Sequence, residues 1–62
     1  MLKRNIVDDL YSIVIKRYLR ERPEVILTND RLDSIWFSLC SKLNHEGKEK
    51  AYEYARNAKL LW

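Results

Sequence analysis

At 62 residues the chain has room for one domain, residues 1–62, and buries only about 60% of its unfolded surface on folding. A composition of 47% hydrophobic and 34% charged residues excludes an intrinsically disordered segment, and the formal net charge of +3 is a small excess. One cysteine, Cys40, and one histidine, His45, exclude an intrachain disulfide and a cysteine–histidine zinc site.

The charge is unevenly spread. Residues 1–22 carry six bases (Lys3, Arg4, Lys16, Arg17, Arg20, Arg22) against three acids (Asp8, Asp9, Glu21), and the remainder balances. No apolar run approaches the ~20 residues that span a bilayer, so no membrane partner is expected. A lone thiol and the lack of a signal-peptide pattern give the cytoplasm as the expected setting.

Pro23 and Gly47, the single proline and single glycine, divide the chain into three helical segments. The first runs from about Lys3 to Glu21. Asn5 offers an N-cap, and Asp8 and Asp9 occupy the first turn, where the helix dipole favours anions. "KRYLRER" places cations where the dipole favours them, and Pro23 ends the element by disfavouring helical geometry at Arg22. Its apolar residues (Ile6, Val7, Leu10, Tyr11, Ile13, Val14, Ile15, Tyr18, Leu19) spread over roughly 200° of a helical wheel. So wide an arc predicts a helix sandwiched inside the fold or paired with another molecule. Tyr11, Ile15, Tyr18 and Leu19 are the expected second contact.

"PEVILTND" follows, with Val25, Ile26 and Leu27 expected to lie as an irregular extended piece across the core. A lone strand has no partner, so no sheet is expected. The second segment runs from about Asp30 to Leu43, with Thr28, Asn29 and Asp30 as alternative caps. Leu32, Ile35, Trp36, Leu39, Cys40 and Leu43 keep i, i+3, i+4 spacing and define an arc of about 140°. Ser34, Ser38 and Ser41 lie opposite. "NHEG" reads as a short turn, and the third segment runs from about Lys48 to Leu61 on the helical spacing of Ala51, Tyr54, Ala55, Ala58 and Trp62.

The predicted fold is therefore all-α, a small three-helix bundle with helices at about 3–21, 30–43 and 48–61, helix-turn-helix-like in its second half. Its predicted core is Ile6, Leu10, Ile13, Val14, Leu32, Ile35, Trp36, Leu39, Cys40, Leu43, Ala51, Tyr54, Ala55 and Ala58.

No catalytic constellation is present. His45 falls in the predicted turn, and Cys40 lies on an apolar stripe, where a thiol is inert. Asp8 and Asp9, adjacent on a helix, diverge by about 100° and cannot work as an acid–base pair. One glycine cannot build a phosphate loop. The chain is thus expected to be non-enzymatic, with no cofactor and no metal.

Two binding functions compete. The favoured one is a protein-interaction or regulatory accessory module that self-associates, most simply as a dimer, or docks on a larger protein. Its expected contacts are Tyr11, Ile15, Tyr18 and Leu19, joined by Phe37, Tyr52 and Trp62, aromatic residues off the main stripes of a type enriched in interface hot spots. Phe37 packing on Tyr52 across the turn, and Trp62 closing the end of the bundle, are the purely structural alternatives. The second function is nucleic-acid binding. Lys16, Arg17, Arg20 and Arg22 offer one basic patch, and Lys48, Lys50, Arg56, Asn57 and Lys59 offer another on the third segment. Glu49 and Glu53 share that segment and oppose phosphate.

Overall fold

The computed structural model of the chain describes residues 5–62. Three helices, α1 (Ile6–Glu21), α2 (Asn29–Glu46) and α3 (Lys48–Asn57), pack each against the other two, with no strand among the described residues. The predicted all-α bundle is the observed fold. The expected helical start near Lys3 lies outside the described residues.

Local chemistry fixes the helix starts. The Val7 N–H donates to Asn5 Oδ1 at 2.9 Å, so Asn5 caps α1. Of three possible caps for α2, Thr28 is the one used, its Oγ1 accepting from the Arg31 N–H at 3.3 Å. The stops differ more from expectation. Asn44, His45 and Glu46 are helical, so α2 overruns the predicted turn, and Lys42 pairs with Glu46 at 2.7 Å along its last turn. Gly47 alone joins α2 to α3. It adopts φ 89°, ψ 173°, a conformation essentially reserved for glycine. Its N–H closes α2 on the Leu43 carbonyl (3.0 Å), and its own carbonyl accepts from Ala51 N–H (3.0 Å) to open α3.

The third helix ends at Asn57, not near Leu61. Ala58 turns extended (φ −66°, ψ 149°), and residues 58–62 form a non-helical tail. Tertiary contacts win over the helical spacing here, because Leu60 and Trp62 pack against the core from the extended path.

The core consists of Val7, Leu10, Val14 and Tyr18 of α1, Ile35 and Leu39 of α2, and Ala51 and Ala55 of α3. The two alanines are fully buried and let the α3 backbone come close to the other helices. Tyr18, expected at an interface, is a core residue at 2% exposure. Val7, Leu10, Val14 and Tyr18 follow steps of three and four, so Tyr18 belongs to the buried face, about 20° from Val7 and about 40° from Val14. Trp36 departs the other way. Expected in the core, it is 37% exposed, because the buried line of α2 runs through Ile35 and Leu39 and leaves Trp36 on its shoulder. Ile6, Ile13, Leu32, Cys40, Leu43, Tyr54 and Ala58 are half-buried around that core.

Candidate functional site

On the α1–α2 seam, Tyr11, Ile15 and Leu19 stand one turn apart, at i, i+4 and i+8, and form a continuous line on α1. Tyr11 meets Trp36 of α2 edge-on, with ring centroids 5.3 Å apart and planes at 73°. Tyr11 and Ile15 are half-buried against the core, while Leu19 is 66% exposed. The line therefore rises from the core to the surface along its length. Trp36 completes it, a contributor that the sequence reading had placed inside. The sequence carried no signal of this: on the wheel Trp36 lies inside the α2 stripe, between Leu43 and Cys40, and burial follows the Ile35–Leu39 side of that stripe instead.

The rest of the wide α1 arc is covered by the chain itself. The tail lies over Tyr18: the Leu61 N–H donates to the Tyr18 hydroxyl at 3.0 Å, and the Trp62 ring lies 6.1 Å from the Tyr18 ring. The Arg31 guanidinium carbon sits 5.3 Å from the Trp62 ring centroid. The same guanidinium donates to the Ile26 carbonyl at 2.8 Å, tying the connection to the tail. Val25 and Leu27 pack inward from that connection while Ile26 stays exposed. Trp62 thus closes the bundle end. Beneath the tail a cavity of about 20 Å³ has room for roughly one water molecule.

The α1–α3 seam is built differently. Tyr52 of α3 donates its hydroxyl proton to Asp9 Oδ2 of α1 at 3.3 Å. One turn beyond, Arg17 donates from Nη1 to the Ala55 carbonyl at 3.1 Å, satisfying a carbonyl in the last turn of α3 that has no helical partner. The Arg17 side chain is only 12% exposed. Its Nε also donates to Glu21 Oε2 (3.3 Å), which receives Arg20 Nη2 at 3.1 Å. These bonds, Arg20 first and Arg17 second, hold the Glu21 carboxyl below its ordinary pKa. Arg17 is therefore a structural tie more than a free surface cation.

Beside this tie an open groove is lined by Ile13, Lys16, Arg17, Arg20, Arg56 and Asn57. The fold thus unites members of two basic patches that are distant in sequence. Arg56 lies 5.8 Å from the Tyr52 ring, which supports it from below. The remaining candidate cations do not join them. Arg22 lies beside Glu24 at 3.9 Å, Lys50 lines a separate α2–α3 groove with Lys42, Glu46 and Glu53, and Lys59 lines the cavity beneath the tail. Lys48 is exposed at the start of α3.

Phe37 stands apart from Tyr52, 76% exposed on an outer face of α2 near Ser41 and His45. Tyr52 belongs to the α1–α3 seam, beside Asp9 and Arg56. The half-buried Cys40 and the exposed His45 share no cluster: no group of three or more His, Cys, Asp or Glu suited to a metal occurs among the described residues. No helix among them is long and apolar enough to cross a membrane. Comparison with protein-family models, with curated proteins and with solved structures finds no match for this chain.

Proposed function

We propose that the chain is a small, non-enzymatic protein-interaction module that pairs with a second copy of itself through the α1–α2 seam. The observation that carries this reading is the line of Tyr11, Ile15 and Leu19 with Trp36 beside it. It is the part of the broad apolar arc of α1 that the tail and the connection leave open. Tyrosine and tryptophan present large area at small entropic cost, which suits them to anchor an interface.

A second copy fits this line by symmetry and by charge. Two α1 helices laid antiparallel about Ile15 bring Tyr11 of one against Leu19 of the other, and Ile15 against Ile15. The same register sets Asp8, exposed in the first turn, opposite Arg22 at the C-cap. Each copy contributes both members of the pair, as a two-fold interface requires.

Sedimentation equilibrium tests the pairing. A dimer mass is expected at high micromolar concentration. Leu19→Glu should return it to monomer with the far-UV helical signal unchanged. Asp8→Arg should weaken the dimer, and adding Arg22→Asp to that variant should restore it. A wild-type chain that stays monomeric throughout, or a Leu19→Glu variant that still dimerises, overturns the reading.

A further inference from the structure

We infer that the α1–α3 groove is a second binding site, one that holds the phosphodiester backbone of a nucleic acid without reading its bases. Lys16 and Arg20 stand at i and i+4 on the flank of α1 that faces α3, and Arg56 and Asn57 meet them from the last turn of α3. Cations at helix C-termini are commonly there to complement the dipole. That does not account for Lys16, which lies in the middle of α1. Nor does it account for two helices turning their cations toward one shared groove.

The groove is also prepared for an anion. Arg17, at its base, fixes the end of α3 through the Ala55 carbonyl, so the neighbouring Arg56 is held against α1. Neither Lys16 nor Arg56 has an ion pair among the described residues. Among the described residues Glu21 is the carboxylate paired with cations of this cluster, taking one bond from Arg17 and one from Arg20, whose side chain stays largely exposed; Asp9, farther along the same flank of α1, accepts from Tyr52. Glu53, which from sequence opposes phosphate, lies in the α2–α3 groove with Lys42 and Lys50. Glu49 is about 10 Å up the helix from Arg56.

The shape favours a nucleic-acid strand over an anionic membrane. Cations spaced along two helices follow a chain of phosphates, and the only apolar residue of the groove, Ile13, is half-buried. The apolar line is centred on Ile15, about 100° round α1 from Lys16 and about 140° from Arg20, so a lipid surface seated on the line does not cover the groove. For the same reason this site does not depend on self-association, and a monomeric Leu19→Glu chain keeps it.

Fluorescence anisotropy with a labelled oligothymidine of about 20 nucleotides, longer than a typical single-strand site, and with a duplex of equal length tests the inference. Saturable binding at low salt is expected, with a log–log salt slope of about −2 to −3, as for three neutralised phosphates. Lys16→Gln and Arg56→Gln should each weaken binding about three- to tenfold and reduce the slope by about 1, with unchanged circular dichroism. Lys50→Gln removes the same charge elsewhere and should change affinity less than about twofold. Lys16→Gln breaks no hydrogen bond or ion pair among the described residues, so it guards against a folding artefact in Arg56→Gln. The inference is overturned if neither oligonucleotide binds at low salt. It is also overturned if Lys50→Gln weakens binding as much as Arg56→Gln, or if phosphatidylserine vesicles bind and the oligonucleotides do not.

Discussion

The two flanks of α1 are held by different chemistry. Toward α3 the contact is pinned by polar bonds of defined direction, Tyr52 to Asp9 and Arg17 to the Ala55 carbonyl. Toward α2 it is side-chain packing, centred on Leu10 and Leu39 and thinning out through Tyr11, Trp36, Ile15 and Leu19. A polar seam is satisfied once its donors and acceptors are paired, whereas an apolar one gains from any further area removed from water. The first sets where a helix sits, and the second leaves a surface on which another molecule can gain.

Breaking the polar seam should have the largest effect on stability. Arg17→Ala removes a charged donor from a carbonyl and should cost about 1.5–3 kcal/mol in urea unfolding. That is a large share of the roughly 3–9 kcal/mol expected for a domain of this size. A loss below about 0.5 kcal/mol would mean that α3 is seated by its alanines alone.

The polar seam also depends on how Gly47 aims α3. Gly47→Ala should cost about 1–3 kcal/mol through backbone strain alone, since a Cβ there meets nothing within 4 Å. Chemical synthesis with D-alanine at the same position supplies the mirror preference and should leave the unfolding midpoint unchanged or higher. Equal losses from both isomers would point to a steric cause instead.

On the apolar flank Leu19→Glu should shift stability by no more than about 0.5 kcal/mol while abolishing the dimer mass. The smallest expected effect is an acid one. Glu21 and Glu46 are held below their ordinary pKa by Arg20 and Arg17 and by Lys42 respectively. Each contributes stability that is fully present above the ordinary carboxylate value and is lost as pH falls through the lowered folded value. Glu21→Gln and Glu46→Gln together should flatten that acid limb of a pH-dependent melting series. A wild-type limb that survives both changes would assign it to other carboxylates.

The helix starts were legible because capping is local. Asn5 and Thr28 act on backbone N–H groups two or three residues away, and residue type announces the role. The stops were less so. "NHEG" has turn composition, yet only its glycine leaves helical geometry, and the Lys42 pairing with Glu46 supports one more turn. The tail keeps helical spacing through Ala58 and Trp62, but its path is decided by Tyr18, more than forty positions earlier in the chain. Tyr18 itself was legible in principle. Steps of three and four through Val7, Leu10 and Val14 lead to it, and a nine-residue apolar arc with no marked centre concealed them. The basic groove was legible as residues and not as a place. Nothing in the order of the chain says that Arg56 comes to rest beside Lys16.

Because α2 and α3 share one residue at their junction, their rotational phase has no slack. A change of one residue there turns α3 by about 100°: a deletion puts Tyr52 and Arg56 where Ala51 and Ala55 are buried, an insertion puts Lys50 and Tyr54 there, and either carries Arg56 and Asn57 out of line with Lys16 and Arg20. Between α1 and α2 the exposed residues Arg22, Pro23 and Glu24 precede the packed Val25 and Leu27, and an exposed loop segment absorbs length changes cheaply. Among descendants of this chain, insertions and deletions should therefore accumulate between the first two rods and be purged between the last two.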